Sequence, residues 1–178
     1  MPPPDQTIRI RPLVPADLPA ALAIQQASYP AFLLEDEPAF LSRLRTAASY
    51  CLAATRGGTL IAYLLAHGWR SAAPPPVGTL LPRHAASEVL FIHDLAVSIT
   101  GRGSGIGRRL VSSALDLAVA DGLSTAELIA VEGAADYWRA LGFRTSPGSP
   151  ELAAKVAAYG PAAQWMTRTM VHESSPAA

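Results

Sequence analysis

Four glycines stand at alternate positions, Gly101, Gly103, Gly105 and Gly107, in the stretch VSITGRGSGIGRRLVSSAL (97–115), between an apolar run and a helical pattern. A buried strand that leads through bare backbone into a helix presents N–H groups without carbonyl partners. The helix dipole adds positive partial charge at that end, so the arrangement binds phosphate well. Glycine allows positive φ and keeps side chains out of the ligand's way. One or two glycines suit a ligand-free turn, whereas four in alternation point to an anion site. The apolar run before them, EVLFIHDLAV (88–97), carries His93 and Asp94. A carboxylate in such a strand is costly to bury without a purpose, which marks Asp94 as a candidate functional group. His93 also reads as a buried, hydrogen-bonded core histidine. Strand alternation sends the two to opposite faces, so the expectation is that at most one looks into a given cleft.

The spacing narrows the anion. A dinucleotide fingerprint needs G-x-G-x-x-G, but Ile106 and Arg108 stand where the third glycine belongs in the two possible registers. A phosphate loop of the Walker type needs Lys followed by Ser or Thr, and the sequence has Gly107-Arg108-Arg109 instead. The four histidines, His67, His84, His93 and His172, show no metal-ligand spacing, so no metal is expected.

The elements that must position these groups follow from periodicity. TIRIRP (7–12) alternates as a strand. Asp17 is placed to cap a helix over LPAALAIQQASY, and a second helix is expected over about 38–48. Between them PAFLLEDE reads as an exposed acidic segment. SYCLAAT and TLIAYLLAHGW, joined through Arg56-Gly57-Gly58, form a hairpin, and 70–87 is a long irregular loop. The strand EVLFIHDLAV is followed by a helix over about 104–121 and a strand STAELIAV, which together make a parallel crossover. GAADYWRAL is a further helix, AQWMTRTMV a last strand, and HESSPAA a frayed tail.

With 178 residues, half of them hydrophobic, the chain fits one domain. Zero formal net charge gives no global drive toward nucleic acid or an anionic membrane, so neither is an expected partner. No segment approaches the roughly 20 apolar residues of a membrane span, and the single Cys51 reads as a small buried hydrophobe. The expected location is the cytoplasm.

LAV followed by RGSGIGRRL resembles the acyl-CoA-binding signature of the GNAT superfamily of N-acetyltransferases: Arg or Gln, two residues, Gly, one residue, Gly or Ala, matched by Arg102, Gly105 and Gly107. YWRALGF resembles that family's later signature, an aromatic pair followed by Gly-Phe, here Tyr137, Trp138, Gly142 and Phe143. The resemblance spans most of residues 7–171. It implies a single-domain α/β fold with a mixed, mostly antiparallel sheet and flanking helices. It also implies acetyl-CoA as co-substrate. The amides of Gly103, Ser104, Gly105, Ile106, Gly107 and Arg108, with Arg102, would hold the pyrophosphate. Backbone at Leu95, Ala96 and Val97 would meet the pantetheine arm, with Trp138 alongside. The implied reaction moves an acetyl group to a primary amine, of a small molecule or peptide, by direct attack in a ternary complex, with Asp94 or His93 as base. Homodimers are common among the proteins it resembles.

The sequence departs from the family pattern at two places. Trp138 holds the position where a tyrosine often protonates the leaving thiolate. An indole has no acid function, and Tyr137, one residue earlier, points about 100° away on a helix, so it serves only if the register or backbone adjusts. No asparagine precedes the helix, where AVEGAAD carries Glu132. Tyr29, Phe32, Glu35, Asp36 and Glu37 fall in the region that lines the acceptor side in the family. A non-catalytic CoA-binding module, a donor with another acyl group and a different nucleotide-binding protein stay open as alternatives.

Overall fold

The computed structural model describes residues 6–171. The N-terminal prolines, His172 and the expected frayed tail lie outside the described residues. Seven strands form one sheet in the order β1-β2-β3-β4-β5-β7-β6. They are β1 (Ile8–Pro12), β2 (Leu52–Arg56), β3 (Thr59–Trp69), β4 (Val89–Val97), β5 (Thr125–Ala130), β6 (Arg144–Thr145) and β7 (Gln164–Thr169). Every neighbouring pair is antiparallel except β4 and β5. Helix α3 (Ile106–Ala120) makes that parallel crossover, as the apolar spacing requires.

The helices bury opposite faces of the sheet. The stripe Ile106, Leu110, Val111, Ala114 and Ala118 of α3 packs on Leu64, Leu90 and Leu128. On the other face α1 (Leu18–Ser28) and α2 (Glu37–Arg45) bring Leu18, Ala21 and Phe40 against Ala53, Tyr63 and Leu65. Asp17, expected to cap α1, makes no cap bond there. It pairs with Arg11 through two contacts of 2.6 and 2.8 Å and accepts the Val14 N–H, because a guanidinium on the adjacent strand outcompetes a helix amide. Asp36 does cap α2, accepting the Ala39 N–H at 3.0 Å.

The strand pairing matters most for the site. β4 stays with β3 as far as Val97, but only Leu90, Phe91 and Ile92 pair with β5, opposite Ala126, Glu127 and Leu128. β5 then continues with β7 to Ala130. The two central strands therefore diverge and leave one side of β4 without a strand partner beyond Ile92. The divergence begins where β4 bulges: Leu65 lies opposite Asp94 and Ala66 opposite Ile92, so His93 is an extra residue in the ladder. A bulge bends its strand and increases local twist.

Two elements go beyond the sequence expectation. Helix α4 (Ala135–Ala140) was expected, whereas α5 (Pro150–Ala157) and the short β6 fall in a stretch assigned no structure. The cues for α5 are present: Ser149 accepts the Leu152 N–H at 3.1 Å, Pro150 opens the helix, and Leu152 and Val156 share a buried face. The loop 70–87 is irregular as expected, but it is pinned. Glu127 of β5 accepts from the Ser71 hydroxyl at 2.7 Å and the Ala72 N–H at 2.9 Å, and the Trp69 indole donates to Ala73 O at 2.7 Å.

His67 of β3 is completely buried against Trp69, Phe91 and His93. Burial, more than any neighbour, lowers its pKa from the usual 6.5 to about 3. The folded state thus binds the proton less readily than the unfolded chain. The stability this contributes is whole above about pH 6.5 and is lost as pH falls toward 3. Replacing His67 by Phe is expected to flatten the fall in urea midpoint between pH 7 and 4, and an unchanged slope would contradict this.

Candidate active site

The opening between β4 and β5 is a cavity of about 330 Å³, walled by Ile92, Leu95 and Val97 on one side and Leu128, Ile129 and Val131 on the other. It meets a second hollow of about 370 Å³ at the start of α3, and Leu95, Val97, Arg102 and Tyr137 border both. One continuous groove runs from the helix start into the sheet.

The four glycines build the outer hollow in different ways. Gly103 and Gly105 have φ of +74° and +71°, and a Cβ on either would meet nothing within 4 Å, so they supply backbone conformation and an open floor. Gly101 lets the turn approach β3, since a Cβ there would sit 2.9 Å from Ile61 O. At Gly107 a Cβ would lie 2.5 Å from the Tyr137 hydroxyl. The N–H groups of Ile106, Gly107 and Arg108, the first of α3, have no backbone acceptor among the described residues. The Ser104 hydroxyl turns back to Gly101 O at 2.5 Å, and Ser104 borders neither hollow. Three unpaired donors on an open floor, with Arg102 and Arg108 at its edge, fit a diphosphate. The free side of β4 fits an extended arm with amide groups.

Deeper in, polar groups gather on the α1–α2 side. Glu35 was expected in an exposed segment, but it is only 7% exposed, because Gln25 of α1 clamps its backbone in both directions, at 2.9 and 2.8 Å. Its carboxylate meets Arg43 Nη2 at 2.9 Å, the Gly78 N–H at 2.5 Å and His93 Nε2. Burial alone would raise the Glu35 pKa. The charge and hydrogen bond of His93, then Arg43 and Gly78, outweigh it and hold the carboxylate at about 2. Asp94 Oδ2 accepts the Tyr63 hydroxyl at 2.5 Å, and the Tyr29 hydroxyl donates to Leu95 O at 2.7 Å. Burial raises the Asp94 pKa against the pull of both tyrosines, and it drives the Tyr29 and Tyr63 hydroxyls well above their ordinary 10.

His93 and Asp94 both border the cavity, which corrects the expectation that only one would. The bulge at His93 breaks the strict alternation on which that expectation rested. The aromatic pair is also rearranged. Trp138 is 8% exposed, packed edge-on against Phe143 within the core. Tyr137 reaches across to Gly107 and borders both hollows, so the hydroxyl enters the groove from the neighbouring position without any change of helix register. Burial raises its pKa, partly offset by Arg108. The residues that sequence reasoning passed over are Tyr63, inside an apolar run, and Tyr159, beyond α5.

The model of the acetyltransferase (GNAT) family matches residues 18–143. The chain belongs to this family. No curated protein sequence matches it significantly. Solved structures share the fold at low identity. Ard1 from Thermoplasma volcanium is 17% identical with a TM-score of 0.68, over 93% of this chain and 99% of that one. The ribosomal-protein-S18-alanine N-acetyltransferase of Escherichia coli is 17% identical with a TM-score of 0.67, over 97% and 99%. The PaiA N-acetyltransferase of Thermoplasma acidophilum, solved in complex with coenzyme A, is 13% identical with a TM-score of 0.68, over 92% and 99%. In this GNAT-family chain the groove described above runs along the glycine signature and β4. No helix among the described residues is long and apolar enough to cross a membrane.

The Arg43 side chain is wholly buried, so its counter-charge matters to folding. Glu35→Ala is expected to lower stability by about 3–5 kcal/mol in urea unfolding, because it leaves that guanidinium uncompensated. Adding Arg43→Met to the same variant should recover much of the loss. A single variant as stable as wild type would contradict the pairing.

Proposed function

We propose that the chain is an acetyl-CoA-dependent N-acetyltransferase that moves an acetyl group to a primary amine by direct attack in a ternary complex. The observation that carries the reading is the continuity of the groove. The unpaired amides of Ile106, Gly107 and Arg108 lead directly to the unpaired side of β4 and then to a chamber bordered by His93 and Asp94. A diphosphate joined to a long amide-bearing arm has that sequence of chemical needs.

Bound acyl-CoA would supply the thioester: a C–N bond forms, the C–S bond breaks, and the ammonium gives up two protons, one ending on sulfur and one in solvent. Arg102 and Arg108 add positive charge beside the amides of the outer hollow. Leu95 and Val97 offer backbone groups along the arm, and a strand N–H there is placed to polarise a carbonyl oxygen. The Tyr137 hydroxyl, held protonated by burial, is the proton donor for the departing sulfur. Asp94, whose pKa burial raises, is the candidate to take the amine proton, and His93 lies beside it on the chamber wall. Trp138 borders the same chamber from α4, packed against Tyr137 and Phe143.

Isothermal titration is expected to show saturable binding of CoA, weakened at least tenfold by Gly105→Val, since a β-branched residue at φ +71° carries about 1–3 kcal/mol of strain and intrudes on the floor. In a thiol-release assay with amines, Tyr137→Phe should lower kcat by about 10²-fold or more while CoA affinity stays within about threefold. No CoA binding by folded protein would overturn the reading. CoA binding with no transfer to any amine would leave a binding module instead.

A further inference from the structure

The groove reaches both faces of the sheet. On β4, Leu90 and Ile92 pack with α3, while Phe91 packs with Leu152 and Val156 of α5 on the opposite face. On β5, Leu128 and Ile129 divide in the same way. Ile92, Leu128, Phe91 and Ile129 all border the inner chamber, so it passes between the parted strands from the α3 face to the α5 face. Its end toward the α3 amides is marked by Leu95, Val97, Arg102 and Tyr137, which it shares with the outer hollow. Leu33, Glu35, Val77 and Tyr159 border the chamber but not the outer hollow, and they belong to its far end.

Of residues 70–87, Val77 alone borders the chamber. It holds the second position of a β-turn from Pro76 to Thr79. The Thr79 N–H donates to Pro76 O at 3.2 Å, and Gly78, at φ +80°, fills the third position, where a type II turn needs positive φ. The Thr79 hydroxyl gives a second bond to the same carbonyl at 2.7 Å. The turn is anchored on both sides of Val77. Before it, Pro75 O accepts from the Tyr159 hydroxyl. After it, the Gly78 N–H donates to Glu35 Oε2 at 2.5 Å and Thr79 O accepts from Arg43 Nη1 at 3.3 Å. Three consecutive prolines, Pro74, Pro75 and Pro76, restrict the backbone that leads into the turn. Glu35 and Tyr159 are themselves buried residues of the chamber wall, so Val77 cannot withdraw to admit a larger ligand without breaking a bond to one of them. Around it, Leu33, Phe91, Ile129 and the Tyr159 ring offer carbon surface, and the Tyr159 hydroxyl is already committed. A group lodged there is selected by its size and shape.

We propose that Val77 is a specificity-determining residue for the acceptor: it sets the size of the apolar body that can accompany the reacting amine at the far end of the chamber. This rests on reading the groove as an acyl-CoA site. The probes are two conjugates in which the CoA sulfur is joined through an acetyl bridge to the nitrogen of methylamine or of phenethylamine, so that binding reports on the chamber without turnover. Calorimetry gives the Kd of each conjugate and of CoA, and the quantity read is the phenethyl Kd divided by the methyl Kd. Val77→Phe should raise this ratio about tenfold or more and Val77→Ala should lower it about threefold or more, the size of effect that a few carbons have in an apolar pocket. The Kd for CoA should be unchanged in both. Leu80→Phe, in the same loop but exposed and outside the lining, should leave the ratio as it is. A ratio that keeps its wild-type value in both Val77 variants, or that moves as far in Leu80→Phe, would overturn the assignment while CoA binding stood. Wild-type protein that binds neither conjugate nor CoA would take down the acyl-CoA reading itself.

Discussion

The parting of β4 from β5 after three paired residues is the constraint on which the site depends. Backbone groups in a protein interior are almost always paired, so a central strand that loses its neighbour must find another partner or water. Here the bulge at His93 turns the strand, β5 stays with β7, and the gap between them becomes the inner chamber. The same strand then runs through the glycine turn into α3, where the first helical amides are also unpaired. One chain segment thus presents an edge of peptide groups and a cluster of N–H donors end to end. The hydrophobic packing of α3 on one face and α1 and α2 on the other holds the two strands apart without closing the gap.

Around that gap the polar groups have distinct tasks. Glu35, Arg43 and His93 form a buried unit anchored by Gln25 on one side and by the 70–87 loop, through Gly78, on the other. Burying charge in this way contributes little net stability but sets geometry, because each partner left alone would be costly. Tyr63 and Tyr29 do the same for Asp94 and Leu95 O. The loop is also fixed to β5 through Glu127, so the chamber wall is tied to the sheet at several points. Of the buried side-chain atoms without a partner among the described residues, His93 Nδ1 and Asp94 Oδ1 belong to residues that border the chamber, whereas Arg43 Nε and His67 Nε2 lie outside its lining.

Much of this was legible in the residues. The strand and helix periods of Ile8–Pro12, α1, α2, the hairpin and the β4–α3–β5 crossover follow from apolar spacing, and the alternate glycines marked the helix start. The burial of Glu35 was not legible, because it comes from Gln25 and Arg43 on neighbouring helices, partners that a local reading of an acidic segment does not see. The shared chamber of His93 and Asp94 depends on a bulge, which shifts register by one residue without any glycine or proline to announce it. Tyr137 likewise reads as misplaced when the aromatic pair is aligned on Gly142-Phe143. In the fold it reaches the groove because Gly107 leaves space for its hydroxyl across from α4. Tyr159 follows a helix whose cap, Ser149 with Pro150, was present but short enough to pass unread.

The central claim is that the unpaired amides at the start of α3 and along the free side of β4 grip one ligand together. Amide-resolved NMR during titration with CoA tests it directly. The account predicts saturating shifts at Ile106, Gly107 and Arg108 and, with the same midpoint, at Leu95 and Val97. Shifts confined to other surfaces, or none at all from folded protein, would contradict it.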